Sequence, residues 1–189
     1  MIWEMRDLSV MTESDYENWL ALIEPPKRAR IMRMRQIADR RRSVCADRLV
    51  RELVARFCGC DVSSVKLDTT DRGKPFVVGK AVEISISHSG ERVLCAVSDR
   101  PIGADIQQIK LLRPAMIRRV CSEKEQTYVD GDEAKFFEIW CYKEAVFKCR
   151  GTGLTRFEEV DFFSENYPRI CKNESGYALC IVTEKEAEQ

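Results

Sequence analysis

The sequence predicts an α+β protein of two similar lobes, a pseudo-dimer in which each lobe is a long helix packed on a small antiparallel sheet. Three observations carry this. A long helix is expected over residues 37–58, and short strands follow it to about residue 99. A second long helix is expected over 132–151, again followed by strands to about residue 182. Between the two copies stands Arg100-Pro101, a break that divides the chain into 1–100 and 101–189. The repeat is one of element order, not of residue identity.

Residues 2–8 are expected to form a short strand. Thr12 or Ser14 can cap a helix running through Ile23, where Pro25-Pro26 stops it and opens the next turn. A basic run follows, containing Lys27, Arg28, Arg30, Arg33, Arg35, Arg40, Arg41 and Arg42. A solvated helix face is the plain reading of such a run. However, the apolar stripe of the 37–57 helix is Ala38, Cys45, Leu49, Leu53 and Phe57, and Arg42 falls on that stripe.

The text then changes to strands. Asp71-Arg72-Gly73-Lys74-Pro75 reads as a turn, and Val82–Ser87 alternates apolar and polar residues at period two. His88-Ser89-Gly90 turns the chain back into a return strand over Arg92–Ser98. In Ile102–Gln107 the same period places Asp105 and Gln107 on one face and Ile102, Ala104 and Ile106 on the other. Residues 114–130 read as short helices, with Ser122 and Glu125 at capping-box spacing.

The 132–151 helix has apolar residues Phe136, Ile139, Trp140, Val146 and Phe147 at helical spacing and ends in Gly151 and Gly153. Lys143 lies in the middle of this stripe, where an ammonium is costly unless an anion meets it. Trp140, Glu144 and Lys148 run along the edge of the stripe at i, i+4 and i+8. A snorkelling lysine and an ordinary Glu–Lys pair are the plain alternative. Strands are expected near 158–163, 169–173 and 177–182, followed by a polar tail over 184–189.

Composition narrows the function. The 189 residues are 44% hydrophobic and 33% charged, and 31 basic residues balance 31 acidic ones. A neutral chain offers no global field for nucleic acid, so any anion site must be local. No stretch is long and apolar enough to span a bilayer, and residues 1–20 lack the apolar core of a secretory signal. Nine cysteines are scattered singly and there is one histidine, which suggests reduced, buried thiols in a cytoplasmic protein.

Four segments supply donors to phosphate: the basic run with Arg42, the turn at Lys74, Ser87-His88, and Lys143 with Lys148. Asp105 and Glu144 are carboxylates, which repel phosphate unless a cation stands between them. Mg²⁺ bridging carboxylates and a pyrophosphate resolves this, and the chemistry suggested is displacement at a phosphoryl centre.

These segments resemble the 4′-phosphopantetheinyl transferases, of the larger pseudo-dimeric type that activates peptide synthetases. The resemblance is carried by Ile86-Ser87-His88-Ser89-Gly90, by Pro101-Ile102-Gly103-Ala104-Asp105-Ile106, and by Trp140–Lys148 with Gly151-Thr152-Gly153-Leu154. Pro25–Arg28, Arg42-Ser43 and Gly73–Pro75 add to it, so that it covers roughly residues 20–160 in order.

The resemblance implies transfer of 4′-phosphopantetheine from coenzyme A to a serine of an acyl or peptidyl carrier protein, with release of adenosine 3′,5′-bisphosphate. It further implies a monomer, with the active site in the cleft between the lobes. The first lobe would contact the nucleotide of coenzyme A, and the second would hold the metal and pyrophosphate. By residue, it implies Asp105 and Glu144 as metal ligands, and Lys143 and Lys148 as pyrophosphate contacts. Ser87, His88, Arg42 and Ser43 would surround the adenosine and 3′-phosphate, Lys27 and Arg30 its outer phosphate contacts, with Lys74 near the adenine. Glu125 falls where the family has a glutamate proposed to help deprotonate the serine.

Gln107 departs from the pattern, since many members carry Glu there. As a third metal ligand it brings an amide oxygen and one negative charge fewer. That leaves a coenzyme A- or carrier-protein-binding relative without catalysis as the alternative, opposed by intact Asp105, Lys143 and Glu144.

Overall fold

A computed structural model of the chain describes residues 1–71, 73–153, 156–164 and 166–185. Arg72, Leu154 and the tail from 186 lie outside the described residues. The chain opens with β1 (Ile2–Asp7), α1 (Glu13–Leu22), α2 (Pro25–Met32) and α3 (Ile37–Cys58). The short pair β2 (Leu67–Thr69) and β3 (Pro75–Val77) leads to the hairpin β4 (Glu83–Ser89) and β5 (Arg92–Ser98). The second half contains β6 (Ile102–Gln108), α4 (Pro114–Val120), α5 (Glu123–Val129), α6 (Glu133–Arg150), β7 (Arg169–Glu174) and β8 (Tyr177–Thr183).

Each half builds one antiparallel three-stranded sheet, of order β1-β5-β4 in the first and β6-β8-β7 in the second. The two halves are the two lobes of an α+β fold. Local sequence explains the ends of the elements. Thr12 caps α1 in a reciprocal box with Asp15, and Ser122 does the same for α5 with Glu125. Gly59 and Gly151 end α3 and α6 at φ 64° and 68°, backbone that glycine enters without a Cβ clash.

The layers follow from strand alternation. Val93, Cys95 and Val97 of β5 pack on Cys45, Leu49 and Leu53 of α3. The opposite face of β5, Leu94 and Ala96, meets Ile102, Ala104 and Ile106 of β6 and Leu179 and Ile181 of β8. The other face of β8 packs Ala178, Cys180 and Val182 on α6. The order is therefore helix, sheet, sheet, helix. Along α6, Phe136, Ile139, Val146 and Phe147 are buried, each stabilising the fold by about 1.5–3 kcal/mol.

The two sheets also meet edge to edge through side chains. The backbone N–H groups of Ala104, Ile106 and Gln108 donate to the hydroxyls of Ser85, Ser87 and Ser89, at 2.8, 3.4 and 3.0 Å. Strand β6 would otherwise present an open edge with buried, unpaired donors. The serines alternate at period two, so one face of β4 serves one edge of β6.

Two expectations need correction. Among the described residues no strand forms near 158–163; Phe157–Glu159 is a 3-10 turn, which brings the Phe157 carbonyl inward to a buried ammonium. The thiols are not all reduced, because Cys171 and Cys180, direct partners across β7 and β8, form a disulfide. Single scattered positions gave no sign that two of them would share a rung. Among the described residues no helix is long and apolar enough to cross a membrane.

Among the described glycines, Gly103 is the one at which an added Cβ would come nearest another backbone atom. A Cβ there would lie 1.8 Å from the Ala145 carbonyl oxygen, a backbone atom that no side-chain rotation relieves. Gly103→Ala must push α6 away from β6, and we expect a loss of about 3 kcal/mol or more in urea unfolding. An unfolding midpoint equal to wild type would show that the helix is not seated as described.

Candidate active site

The seating of α6 on β6 sets the geometry. Asp105 points from β6 toward the helix, where it meets Lys148 and Glu144. Lys148 Nζ donates to Asp105 Oδ1 at 2.7 Å and to the Ala104 carbonyl at 3.0 Å. Asp105 is 2% exposed and Glu144 is 8% exposed, so both carboxylates are largely out of water. Burial pushes the Glu144 carboxyl up to about 7, and the Asp105 carboxylate beside it adds to the rise against the pull of Lys148. Two neighbouring carboxylates so withdrawn from water form a donor set suited to a hard cation.

Gln107 completes the face less strongly. Its Nε2 donates to Asp105 Oδ2 at 3.2 Å, and its Oε1 accepts from Ser89 Oγ at 3.4 Å. Placed so, it is a hydrogen-bonding neighbour of Asp105, and its carbonyl faces the seam between the lobes. Among the described residues no three His, Cys, Asp or Glu side chains group as a metal site. The set that fits a cation is Asp105 and Glu144, with Gln107 alongside.

Glu144 and Lys148 border a cavity of about 550 Å³ lined from both lobes, by Lys74, Pro75, Ile84 and Ile86 on one side and by Glu144, Phe147, Lys148 and Thr152 on the other; Asp105 stands behind Lys148. Lys74 reaches its rim, paired with Glu83 at 2.8 Å. A second hollow, of about 290 Å³, shares Pro75 and is lined by Lys27 and Arg30. Lys27 is held at 2.6 Å by Asp47, while Arg30 is exposed at the end of α2. The cations thus continue outward from the main cavity.

His88 stands exposed at the end of β4. Partial desolvation in the cleft, the Arg42 guanidinium and the Lys148 ammonium lower its pKa, so the imidazole is neutral at neutral pH and donates one N–H. Arg42 braces the adjacent turn, donating to the Gly90 carbonyl at 2.8 Å and to Asp39 at 2.5 Å. Ser43 donates to Met34 Sδ at 3.5 Å and is half-buried.

Lys143 and Glu125 stand apart from this group and are turned to one another, away from where their expected roles would put them. Lys143 is fully buried, and its Nζ donates to Glu125 Oε2 at 2.7 Å, to the Val120 carbonyl at 2.9 Å and to the Phe157 carbonyl at 3.1 Å. Its three protons are all used, so it has none for a pyrophosphate. Glu125 is also fully buried and accepts from Ser122 N–H at 2.7 Å and Phe162 N–H at 2.9 Å. A carboxylate so enclosed has no path to a substrate hydroxyl. The buried lysine does need an anion, but the anion is internal.

Ser87 is likewise turned inward. It is buried, and its hydroxyl serves Asp105 and the Ile106 N–H rather than the cavity. The serine ladder itself escaped the sequence reading. Its signal was present as serines at strict period two, Ser85, Ser87 and Ser89, along β4.

With this geometry in place, the comparisons are decisive. Residues 11–100 match a family model described as 4′-phosphopantetheinyl transferase, N-terminal, and residues 101–185 match the 4′-phosphopantetheinyl transferase superfamily. The chain belongs to the 4′-phosphopantetheinyl transferase family. It is 31% identical over 151 residues to the 4′-phosphopantetheinyl transferase Sfp of Bacillus subtilis (strain 168), covering 77% of this chain and 67% of that protein. It is 33% identical over 135 residues to 4′-phosphopantetheinyl transferase psf-1 of Bacillus pumilus, covering 68% and 58%. To 4′-phosphopantetheinyl transferase HetI of Nostoc sp. it is 30% identical over 164 residues, covering 79% and 68%. As a phosphopantetheinyl transferase the chain is an enzyme that moves the phosphopantetheine group.

The Lys143–Glu125 pair gives a direct test of its assignment. Glu125→Leu leaves a buried ammonium without its partner and should cost about 3–5 kcal/mol in chemical denaturation, whereas Glu125→Leu with Lys143→Met should recover much of that loss. A Glu125 variant that keeps its stability and loses turnover would restore Glu125 to the chemistry.

Proposed function

We propose that this transferase takes 4′-phosphopantetheine from coenzyme A and places it on a serine of an acyl or peptidyl carrier protein, with Mg²⁺, releasing adenosine 3′,5′-bisphosphate. The observation that carries this is the pairing of Asp105 and Glu144 with Lys148 at the wall of a cavity lined by both lobes. Pyrophosphate is the chemical group that suits carboxylates with a cation between them and an ammonium beside them. Mg²⁺ held by Asp105 and Glu144, with Gln107 alongside, would supply neutralising charge to the pyrophosphate.

The chain's own residues do the rest. Lys148 is fixed by Asp105 and the Ala104 carbonyl, so its remaining proton can be aimed at a phosphate oxygen. Neutral His88 donates to a phosphate of coenzyme A, with Arg42 holding the turn that carries it. Lys27, Arg30 and Lys74 extend the cationic side of the first lobe toward the nucleotide and its 3′-phosphate, while the second lobe holds the metal and pyrophosphate. Apolar Ile84, Ile86 and Phe147 exclude water from the cavity. The serine oxygen forms a new bond to the phosphorus that carries pantetheine. The bridging P–O bond breaks toward the adenosine bisphosphate, and the hydroxyl proton leaves to water. Charge developing on the leaving phosphate lies beside Lys148.

Both walls of the cavity come from one chain, so we propose a monomer. A stable trimer in sedimentation would contradict this. The enzymatic reading is tested by incubating the protein with coenzyme A, Mg²⁺ and candidate apo carrier proteins. Carrier mass should rise by one phosphopantetheine, and no gain with any carrier would sink the proposal.

Asp105→Ala and Glu144→Ala should each lower turnover by ~100-fold or more, the loss typical of one preorganised electrostatic group. Gln107→Ala should be mild, and Gln107→Glu should keep activity and lower the Mg²⁺ concentration needed. Initial rates against Mg²⁺ decide this, and equal damage from Gln107→Ala and Asp105→Ala would make the amide a direct ligand.

His88→Ala should raise KM for coenzyme A more than it lowers kcat. A large fall in kcat at unchanged KM would give the imidazole a different role.

A further inference from the structure

We infer that Ser87 is a positioning residue that sets the Asp105 carboxylate for a divalent cation, acting as the middle rung of the hydroxyl ladder between the lobes. The inference rests on the transferase reading above and adds a residue to it.

The three rungs are alike toward β6 and unlike toward the site. Ser85, Ser87 and Ser89 each accept one backbone N–H, from Ala104, Ile106 and Gln108. Only Ser87 also touches a carboxylate. It donates to Asp105 Oδ1 at 2.6 Å, the shortest bond made by any of the three hydroxyls. A hydroxyl has one proton to give. With the Ile106 N–H entering on one side, the proton of Ser87 is directed at Asp105 on the other. The group is 7% exposed, so water does not compete for it.

The consequence lies in which carboxylate oxygen stays available. Oδ1 takes Ser87 at 2.6 Å and Lys148 at 2.7 Å, Oδ2 takes the longer contact from Gln107 at 3.2 Å, and the Cys141 thiol, a weak donor, also lies against the carboxylate. Ser87 and Lys148 thus hold one oxygen and leave the other for a ligand. Because Ser87 belongs to the first lobe and Asp105 to the second, the same bond ties the orientation of the carboxylate to the closure of the seam. A carboxylate fixed by such an outer partner binds metal more tightly, since its rotation is already restricted before the metal arrives.

The test measures Mn²⁺ binding to the full chain in the presence of coenzyme A, read from the water proton relaxation rate, with thermal melting alongside. Ser87→Ala should bind Mn²⁺ about 10-fold or more weakly, the loss typical when an outer partner of a metal ligand is removed. Ser87→Thr keeps the hydroxyl and should restore the affinity. Ser85→Ala removes a rung without touching Asp105, so it should lower the melting temperature and leave Mn²⁺ affinity unchanged. Wild-type Mn²⁺ affinity in Ser87→Ala overturns the proposal, as does an equal loss in Ser85→Ala, which would make the effect one of general loosening. Should Ser87→Ala fail to fold by circular dichroism, Ser87→Gly, which also lacks a donor, takes its place, and unchanged affinity there overturns the proposal as well. Wild-type protein that binds no Mn²⁺ would instead count against the metal in the transferase reading itself.

Discussion

Strand β6 is gripped from two directions, and the site depends on both. From one side α6 comes so close that only hydrogen fits at Gly103 beneath the Ala145 carbonyl. From the other, the serines of β4 take up the backbone donors of its free edge. Asp105 sits between these two contacts. Its neighbours Lys148 and Glu144 arrive with the helix, and Ser87 arrives with the other lobe. A small shift of either element would separate groups that act only together. The candidate site is thus a result of packing before it is a result of charge.

Much of this was legible in the sequence because it depends on local periodicity. Alternation in Ile102–Gln107 placed Asp105 and Gln107 on one face, and helical spacing placed Glu144 and Lys148 along one edge of α6. The capping box at Ser122 follows from spacing, and Thr12 was one of two candidate caps, with Ser14, for α1. What escaped depends on contacts between distant segments. The Cys171–Cys180 pair is set by the register of β7 on β8. The inward carbonyls of Val120 and Phe157 come from irregular backbone that no period announces.

Lys143 shows how a sound physical premise led to the wrong partner. A lysine on an apolar stripe must find an anion, and the chain offered two: a bound phosphate and Glu125. The capping box hid the second, because Glu125 already had a local task at the start of α5. A carboxylate can accept several hydrogen bonds at once, and Glu125 accepts from Ser122, Lys143 and Phe162. One residue caps the start of a helix, neutralises a buried cation and anchors the backbone before β7. Such a junction is costly to break from one side, which is a structural role and not a chemical one.

The remaining question is how the site tolerates an amide at Gln107. A third carboxylate there would sit in the same buried patch as Asp105 and Glu144, where burial has already raised Glu144 to about 7. Without a bound cation, three such groups would repel more strongly than two, with Lys148 the single ammonium among them. The amide avoids that repulsion. Its Nε2–H on Asp105 Oδ2 is a favourable contact where a carboxylate would give an unfavourable one. Gln107 therefore exchanges pull on a cation for stability of the cation-free site. Lys148 makes the exchange workable, because it compensates part of the charge of Asp105 while standing ready for phosphate. On the proposed reading, a site of two carboxylates, one amide and one ammonium would still offer negative charge to a divalent ion. It also carries less repulsion when that ion leaves.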